Sequence, residues 1–404
     1  MVPDGWKLST IGEISNVSSG GTPSRKNGSY WNGNIPWVTT AEVKFKVVTD
    51  AAERITEEGL ANSSAKLFPV DTILMAMYGQ GKTRGQVAKL GIEACTNQAC
   101  AAIVLHSGYE VDYYYQFLVS QYEKIREMAN SGGQENLSGG IVKSIQVPVP
   151  PLAEQKKIAK ILSTWDNAIT TTEQLLTNSQ KQKKALMQQL LTGKKRLLNK
   201  DGVRFCGDWK FQSISQISKR IQRKSDGEDH PILTISSLSG FVRQDERYSR
   251  YMAGESVRNY VLLKKGEFAY NKGNSKSYEF GCIFDLDSYE TGLVPHVYVC
   301  FGLNQGLSHR YFKYLFEADY LKPQLGALVN TGVRNNGLLN IKPSAFMDTK
   351  VPVPCFDEQE RIADVLHASS YAINRLQNKL DTLKQEKKAL IQQLLTGKRR
   401  TLES

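Results

Sequence analysis

Apolar residues return at intervals of three and four over two long stretches of the chain: Ile158, Leu162, Trp165, Ile169, Leu176, Leu186 and Leu190, then Ile362, Leu366, Ile373, Leu376, Leu380, Leu383, Leu390 and Leu394. A seam of that spacing predicts a coiled-coil-like helix whose stripe must bury against another helix, and each stretch is the other's natural partner. Polar residues interrupt the seams at Thr172, Ser179 and Lys183, and at Ser369 and Lys387. Such positions weaken packing and fix register. Pro148, Pro150 and Pro151 suit a segment just before a helix start, while Thr192-Gly193 and Thr396-Gly397 supply glycine stops. Lys194 to Arg196 and Lys398 to Arg400 then place cations at the negative end of each helix dipole. About 38 residues per helix would give a rod of about 57 Å.

The two stretches are copies. Val147-Pro-Val-Pro and Ala185-Leu-Met-Gln-Gln-Leu-Leu-Thr-Gly-Lys194 recur without a gap at an offset of 204, as Val351-Pro-Val-Pro and Ala389-Leu-Ile-Gln-Gln-Leu-Leu-Thr-Gly-Lys398. A duplication of this size organises the fold. It divides the chain into a variable segment at 1–146, a helical spacer at 147–197, a second variable segment at 198–350 and a second spacer at 351–404. Both variable segments open alike, with Trp6-Lys-Leu8, Ile11 and Ile14 against Trp209-Lys-Phe211, Ile214 and Ile217, which predicts a short amphipathic helix or turn. Strand-like runs follow at 72–77, 101–105, 267–270 and 297–301, separated by turn clusters. Tyrosine-rich amphipathic helices are expected near 113–128 and 310–321. The predicted class is α+β, with two globular units on a helical spine. Scaffolds of shared plan with different loops suit two readers of different targets on one frame.

Composition narrows the partners. The 404 residues exceed one simple core and suit two or three domains. Lys plus Arg exceed Asp plus Glu by 52 to 40, a net +12, which favours a polyanionic partner. The cysteines at 95, 100, 206, 282, 300 and 355 show no metal-ligand spacing and read as buried thiols in a reducing cytoplasm. No apolar run reaches membrane-spanning length and the start shows no basic-then-apolar leader, so the expected location is cytoplasmic, with no membrane partner.

Pro148 through Gln155 with Gln188-Gln-Leu-Leu-Thr-Gly193, their second copy, the Trp-Lys-Leu opening, Tyr78-Gly-Gln-Gly-Lys-Thr and Thr96-Asn-Gln together resemble the specificity subunits of type I restriction-modification systems. The resemblance covers essentially the whole chain, with Cys355 and Phe356 replacing Pro151 and Leu152 of the first copy. It implies two α/β target recognition domains joined by two long antiparallel coiled-coil helices, each domain reading half of a bipartite double-stranded DNA site. It also implies two methyltransferase partners docked on the helices, with motor-nuclease subunits added in a restriction complex. This chain would then be non-catalytic and hold no cofactor or metal, S-adenosylmethionine belonging to the partner methyltransferases.

Candidate DNA contacts are Arg25, Lys26 and Tyr30 in a basic and aromatic loop, and Lys219, Arg220, Arg223 and Lys224 in its cationic analogue. Lys82 and Arg84 in the first half, and Lys272, Asn274 and Lys276 in the second, form a second loop pair. Gln134 and Asn136, with Arg334 and Asn335, lie in glycine-flanked loops that could pair with base edges. Each set also reads as an ordinary solvated loop. Two other readings stay open: a stand-alone enzyme, and a coiled-coil scaffold that binds no DNA. Ala76-Met-Tyr-Gly-Gln-Gly-Lys-Thr83 meets a relaxed phosphate-loop pattern but lacks the first glycine and an evident following helix. Pro3-Asp4 with Glu42-Val-Lys44 loosely suggests a metal nuclease, and the five histidines show no ligand spacing.

Overall fold

The computed structural model describes residues 2–79, 82–130, 136–247, 254–329 and 339–401. Two compact units emerge: residues 1–173 with 378–404, and residues 174–377. The two long helices are Leu152–Leu190 and Phe356–Leu394, each of 39 residues. Each unit therefore holds one variable segment together with the beginning of one long helix and the end of the other.

Within the first unit the helices run antiparallel, because partners descend along one as they ascend along the other: Lys387 Nζ lies 2.5 Å from Asp166 and Lys384 Nζ 2.7 Å from Glu173. Ile158, Leu162, Leu176 and Leu190 of the predicted seam are buried, as are Ile362, Leu366, Leu380 and Leu394. Trp165, Ile169, Leu186, Ile373 and Leu390 are only half-buried. The physical reason is that a lone helix pair covers one narrow stripe of each member. Thr172 is buried without penalty because its hydroxyl donates to the Ala168 carbonyl at 2.7 Å, and Ser369 does the same to Val365 at 3.0 Å. Lys183 and Lys387 leave the seam for carboxylates, Glu317 and Asp166, each at 2.5 Å. Gly193 and Gly397 stop the helices at φ 72° and 69°, conformations that favour glycine.

The Val-Pro-Val-Pro segments are strands rather than mere leads into the helices. Gln146–Val149 pairs antiparallel with Lys7–Thr10, and Lys350–Val353 with Lys210–Ser213. Proline is tolerated because a two-stranded ribbon has free edges to face its missing N–H. A one-turn helix follows the first strand of each ribbon, Ile11–Ile14 or Ile214–Ile217. Each is closed by a side chain reaching back to its cap, Glu13 to the Thr10 amide at 3.1 Å and Gln216 to the Ser213 amide at 2.8 Å.

In the first unit a five-stranded sheet runs Ser15–Ser19, Cys100–Leu105, Ile73–Ala76, Val87–Leu90, Val47–Val48, beside a four-stranded sheet built around Trp31–Val38. In the second, four strands follow the same order: Ser218–Ile221, Val299–Leu303, Phe268–Asn271, Cys282–Asp285. The tyrosine-rich segment of each unit is a pair of helices, Val111–Ser120 with Tyr122–Asn130, and His309–Glu317 with Lys322–Leu328. Their buried rings, Tyr113 and Tyr114 or Tyr311 and Phe312, pack against the sheet and the start of a long helix. Cys95, Cys100, Cys282 and Cys300 are buried as expected, whereas Cys206 and Cys355 are exposed because they lie outside every apolar cluster. Among the described residues no helix is long and apolar enough to cross a membrane.

Candidate nucleic-acid interface

A repeated polar node fixes each variable segment to its helix. Glu154 is buried near the start of the first long helix, where its carboxylate accepts from Trp6 Nε1 at 2.9 Å, from Arg400 at 2.9 and 3.0 Å, and from the Thr401 amide at 3.2 Å. Glu358 is its counterpart, accepting from Trp209 Nε1 at 2.9 Å and from Arg196 at 2.5 and 2.7 Å. Burial alone would raise the Glu154 pKa, but the hydrogen bonds from Arg400, Trp6 and Thr401 outweigh it and hold the carboxyl below its ordinary value. The neighbouring glutamines also act alike. Gln155 donates to the Pro150 carbonyl at 2.8 Å and accepts from the Glu110 amide at 2.9 Å, while Gln359 donates to Pro354 and accepts from Ser308 at the same distances.

On these frames the loops present their cations differently. Arg25 forms a two-pronged pair with Glu53, at 2.5 and 2.8 Å, and lies 3.8 Å over the Trp31 ring. That pairing holds Glu53 below its ordinary pKa. Arg223 is similarly tied to Glu267, at 2.9 and 3.3 Å. These arginines shape their loops. By contrast Lys26, Lys82, Lys219, Arg220, Lys224 and Lys276 are exposed and form no ion pair among the described residues. Tyr30 is half-buried beside them in sequence, and Asn136 and Asn274 are exposed. Arg84 and Lys272 are half-buried and already engaged.

A sequence family described as the type I restriction modification DNA specificity domain matches residues 3–178. The MjaIX type I restriction enzyme specificity subunit of Methanocaldococcus jannaschii is 31% identical over 173 residues, which make up 42% of this chain and 39% of that protein. The chain thus spans about two fifths of that relative's length. The MjaVIII specificity subunit of the same organism is 23% identical over 420 residues, 98% of this chain and 93% of its own. Residues 3–178 thus match that DNA specificity domain, and similarity to a whole specificity subunit extends over nearly the full chain at lower identity. In fold it is similar to the crystal structure of the S subunit from M. genitalium, with a TM-score of 0.59 at 14% identity, covering 98% of this chain and 96% of that one.

In this chain the alternative motifs dissolve into structural roles. The phosphate-loop pattern lies between the strands Ile73–Ala76 and Val87–Leu90, so no helix N-terminus follows to hold a phosphate. Glu42 accepts from the Thr39 amide at 2.8 Å and from Ala52 at 2.9 Å, while the Asp4 backbone carbonyl receives Arg400 at 2.7 Å. The four buried thiols are pushed up by burial, Cys95 to about 11 and Cys100, Cys282 and Cys300 to about 12, and stay protonated at neutral pH. Asp226, Glu228 and His230 cluster at the surface, but both His230 ring nitrogens are already engaged, by Asp226 at 2.7 Å and Thr291 at 2.9 Å.

The expected contacts Gln134, Arg334 and Asn335 lie outside the described residues. Sequence reasoning places Glu154 and Arg400 only within the repeat and misses the node they form. The available signal is that Trp6, Glu154 and Arg196 all recur, as Trp209, Glu358 and Arg400.

Proposed function

We propose that this chain is the non-catalytic DNA-reading subunit of a type I restriction-modification complex. Each unit reads one half of a bipartite double-stranded site, and methyl transfer is performed by partner methyltransferases that carry S-adenosylmethionine. The observation that carries the reading is the split between frame and loops. Ribbon, capped one-turn helix, sheet order and carboxylate node repeat between the units, whereas the uncommitted cations differ in number and position. Phosphate contacts from such cations would supply affinity, and side chains on the differing loops would supply discrimination.

Two partner copies are supported by a second recurrence. Leu8 is 58% exposed and Phe211 60%, at matching places in the two ribbons; Leu152 is 39% exposed and Phe356 49%, each the first residue of a long helix. Large apolar side chains left in water at equivalent places suit two docking sites for one kind of subunit. Motor-nuclease subunits would join through the methyltransferases.

The deciding experiment maps methylated bases in the source genome with and without this gene, then reconstitutes methylation with purified partners. A two-part motif that vanishes with the gene is expected. Methylation by this chain alone, or an unchanged methylome, rejects the reading.

A further inference from the structure

Leu238 is the most exposed large apolar side chain among the described residues, at 86%, well beyond Val203 at 61%. It sits at the tip of the hairpin formed by Leu233–Ser236 and Gly240–Arg243, in the turn Ser237-Leu238-Ser239. The base of that hairpin is firmly held. Leu233, Ile235 and Phe241 are buried, Tyr298 Oη contacts the Thr234 hydroxyl at 3.1 Å and accepts from the Ile235 amide at 3.3 Å, and Arg247 donates to the Ile235 carbonyl at 2.7 Å. At the tip, the Leu238 amide donates to Ser236 Oγ at 3.4 Å and Ser239 Oγ donates to the same oxygen at 3.2 Å. Gly240, at φ 71°, lets the ribbon lie against Phe284, which meets Tyr278 edge-on with ring centres 6.0 Å apart. Tyr278 in turn closes the loop bearing Asn274 and Lys276, its amide donating to Ser275 Oγ at 3.0 Å. The ribbon thus presents one leucine, flanked by serine hydroxyls, next to a loop with an uncommitted lysine.

We propose that Leu238 is a specificity-determining residue that reads the C5-methyl group of a thymine in the major groove of the second unit's half-site. A two-stranded ribbon fits that groove, and thymine's methyl is the apolar feature displayed there. Ser237 and Ser239 can donate to or accept from neighbouring base edges. Leucine at the tip has little to gain from water and a methyl to cover on DNA. The inference rests on the DNA-reading function above.

The test uses the subunit assembled with its methyltransferase partners, on duplexes in which each thymine of the second half-site is replaced singly by deoxyuridine. Affinity is read by fluorescence anisotropy at fixed salt. One replacement should weaken the wild-type complex about fourfold, as expected when one buried methyl is removed. Leu238→Ala should weaken the thymine duplex by a similar factor and erase the difference between the two duplexes. The inference is overturned if L238A binds as wild type, if its sensitivity to deoxyuridine persists, or if the half-site holds only G·C pairs. An adjacent 2-aminopurine that brightens with wild type and not with L238A, without methyl coupling, would make Leu238 a wedge between base steps and overturn it equally. Absence of any sequence-specific binding would instead strike at the function reading; specific binding indifferent to Leu238 leaves that reading standing.

Discussion

The two units attach their variable segments with the same kinds of residue and arrange their outer loops with different ones. In the first, Trp6 and Arg400 converge on Glu154; in the second, Trp209 and Arg196 converge on Glu358. Away from the node the correspondence loosens. Lys387 turns to Asp166 on the neighbouring long helix, while its counterpart Lys183 turns to Glu317 at the end of a variable-segment helix and lies 5.3 Å over the Tyr314 ring. Farther out, the first unit carries, besides its five-stranded sheet, another of four strands where the second unit carries separate ribbons. Constraint therefore fades from the helix ends outward, as expected if the inner parts must fit a common frame and the outer parts must differ.

The sharpest way to break this comparison is to remove one node. Glu154→Ala leaves Arg400 and the Trp6 N–H without their acceptor, and Glu358→Ala does the same to Arg196 and Trp209. Loss of one partner from a buried ion pair should cost about 3 to 5 kcal/mol, confined to the unit concerned. Hydrogen exchange resolved by segment would check it, since a two-unit chain is not expected to unfold in one step. Equal loss of protection in both units would show that the node is not local. Acid should mimic the first substitution. Because Glu154 is held below its ordinary value, its contribution is fully present above the unfolded-state pKa and is lost as pH falls through the lower folded value.

Next in size is partner docking. Leu8→Asp and Phe211→Asp alter exposed side chains, so the isolated chain should keep its stability. Each should weaken one docking site by about 2 kcal/mol, the scale of a central apolar contact. Native mass spectrometry should then find one methyltransferase per chain in either single variant and none in the double. Two bound copies in the double variant would remove the ribbons from the interface.

How far the sequence alone reached follows the same gradient. The long helices were legible because a 3.5-residue seam, glycine stops and a gapless repeat coincide, and the boundaries from Leu152 to Leu190 follow from them. The ribbons were hidden because Val-Pro-Val-Pro argues against a sheet unless its edges are free. Among the candidate contacts, sequence could not separate Arg25 and Arg223, tied to Glu53 and Glu267, from Lys26 and Lys219. Their acceptors stand 28 and 44 positions away, a separation that only tertiary pairing resolves.

That distinction makes a smaller prediction. Replacing Lys219, Arg220 and Lys224 together by alanine should lower the slope of log affinity against log salt by about 0.9 for each phosphate no longer neutralised, and weaken all duplexes alike. Arg25→Ala should act mainly by loosening its own loop. An unchanged salt slope in the triple variant would place these cations off the DNA.

The smallest effect separates the units at one helix end. In the first unit Gln121 closes its helix at φ −93° and leads straight into the next; in the second, Asp319 sits one position past the cap at φ 54°. Burial disfavours its charged form, with Lys322 opposing, and the carboxyl is raised to about 6. A raised carboxyl binds its proton more tightly when folded, so this contribution is fully present below the unfolded value near 3.8 and is lost as pH rises through about 6. The full shift would be worth about 3 kcal/mol; half exposure reduces that to about 1 kcal/mol. Asp319→Asn keeps a side chain that tolerates the left-handed conformation and removes the charge. It should flatten the decline between pH 4.5 and 7.5 and make the second unit about 1 kcal/mol more stable at the upper end, with no change in the first. Hydrogen exchange over 309–329 at both pH values measures this, and a decline as steep in the variant as in the parent would assign the pH response to another group.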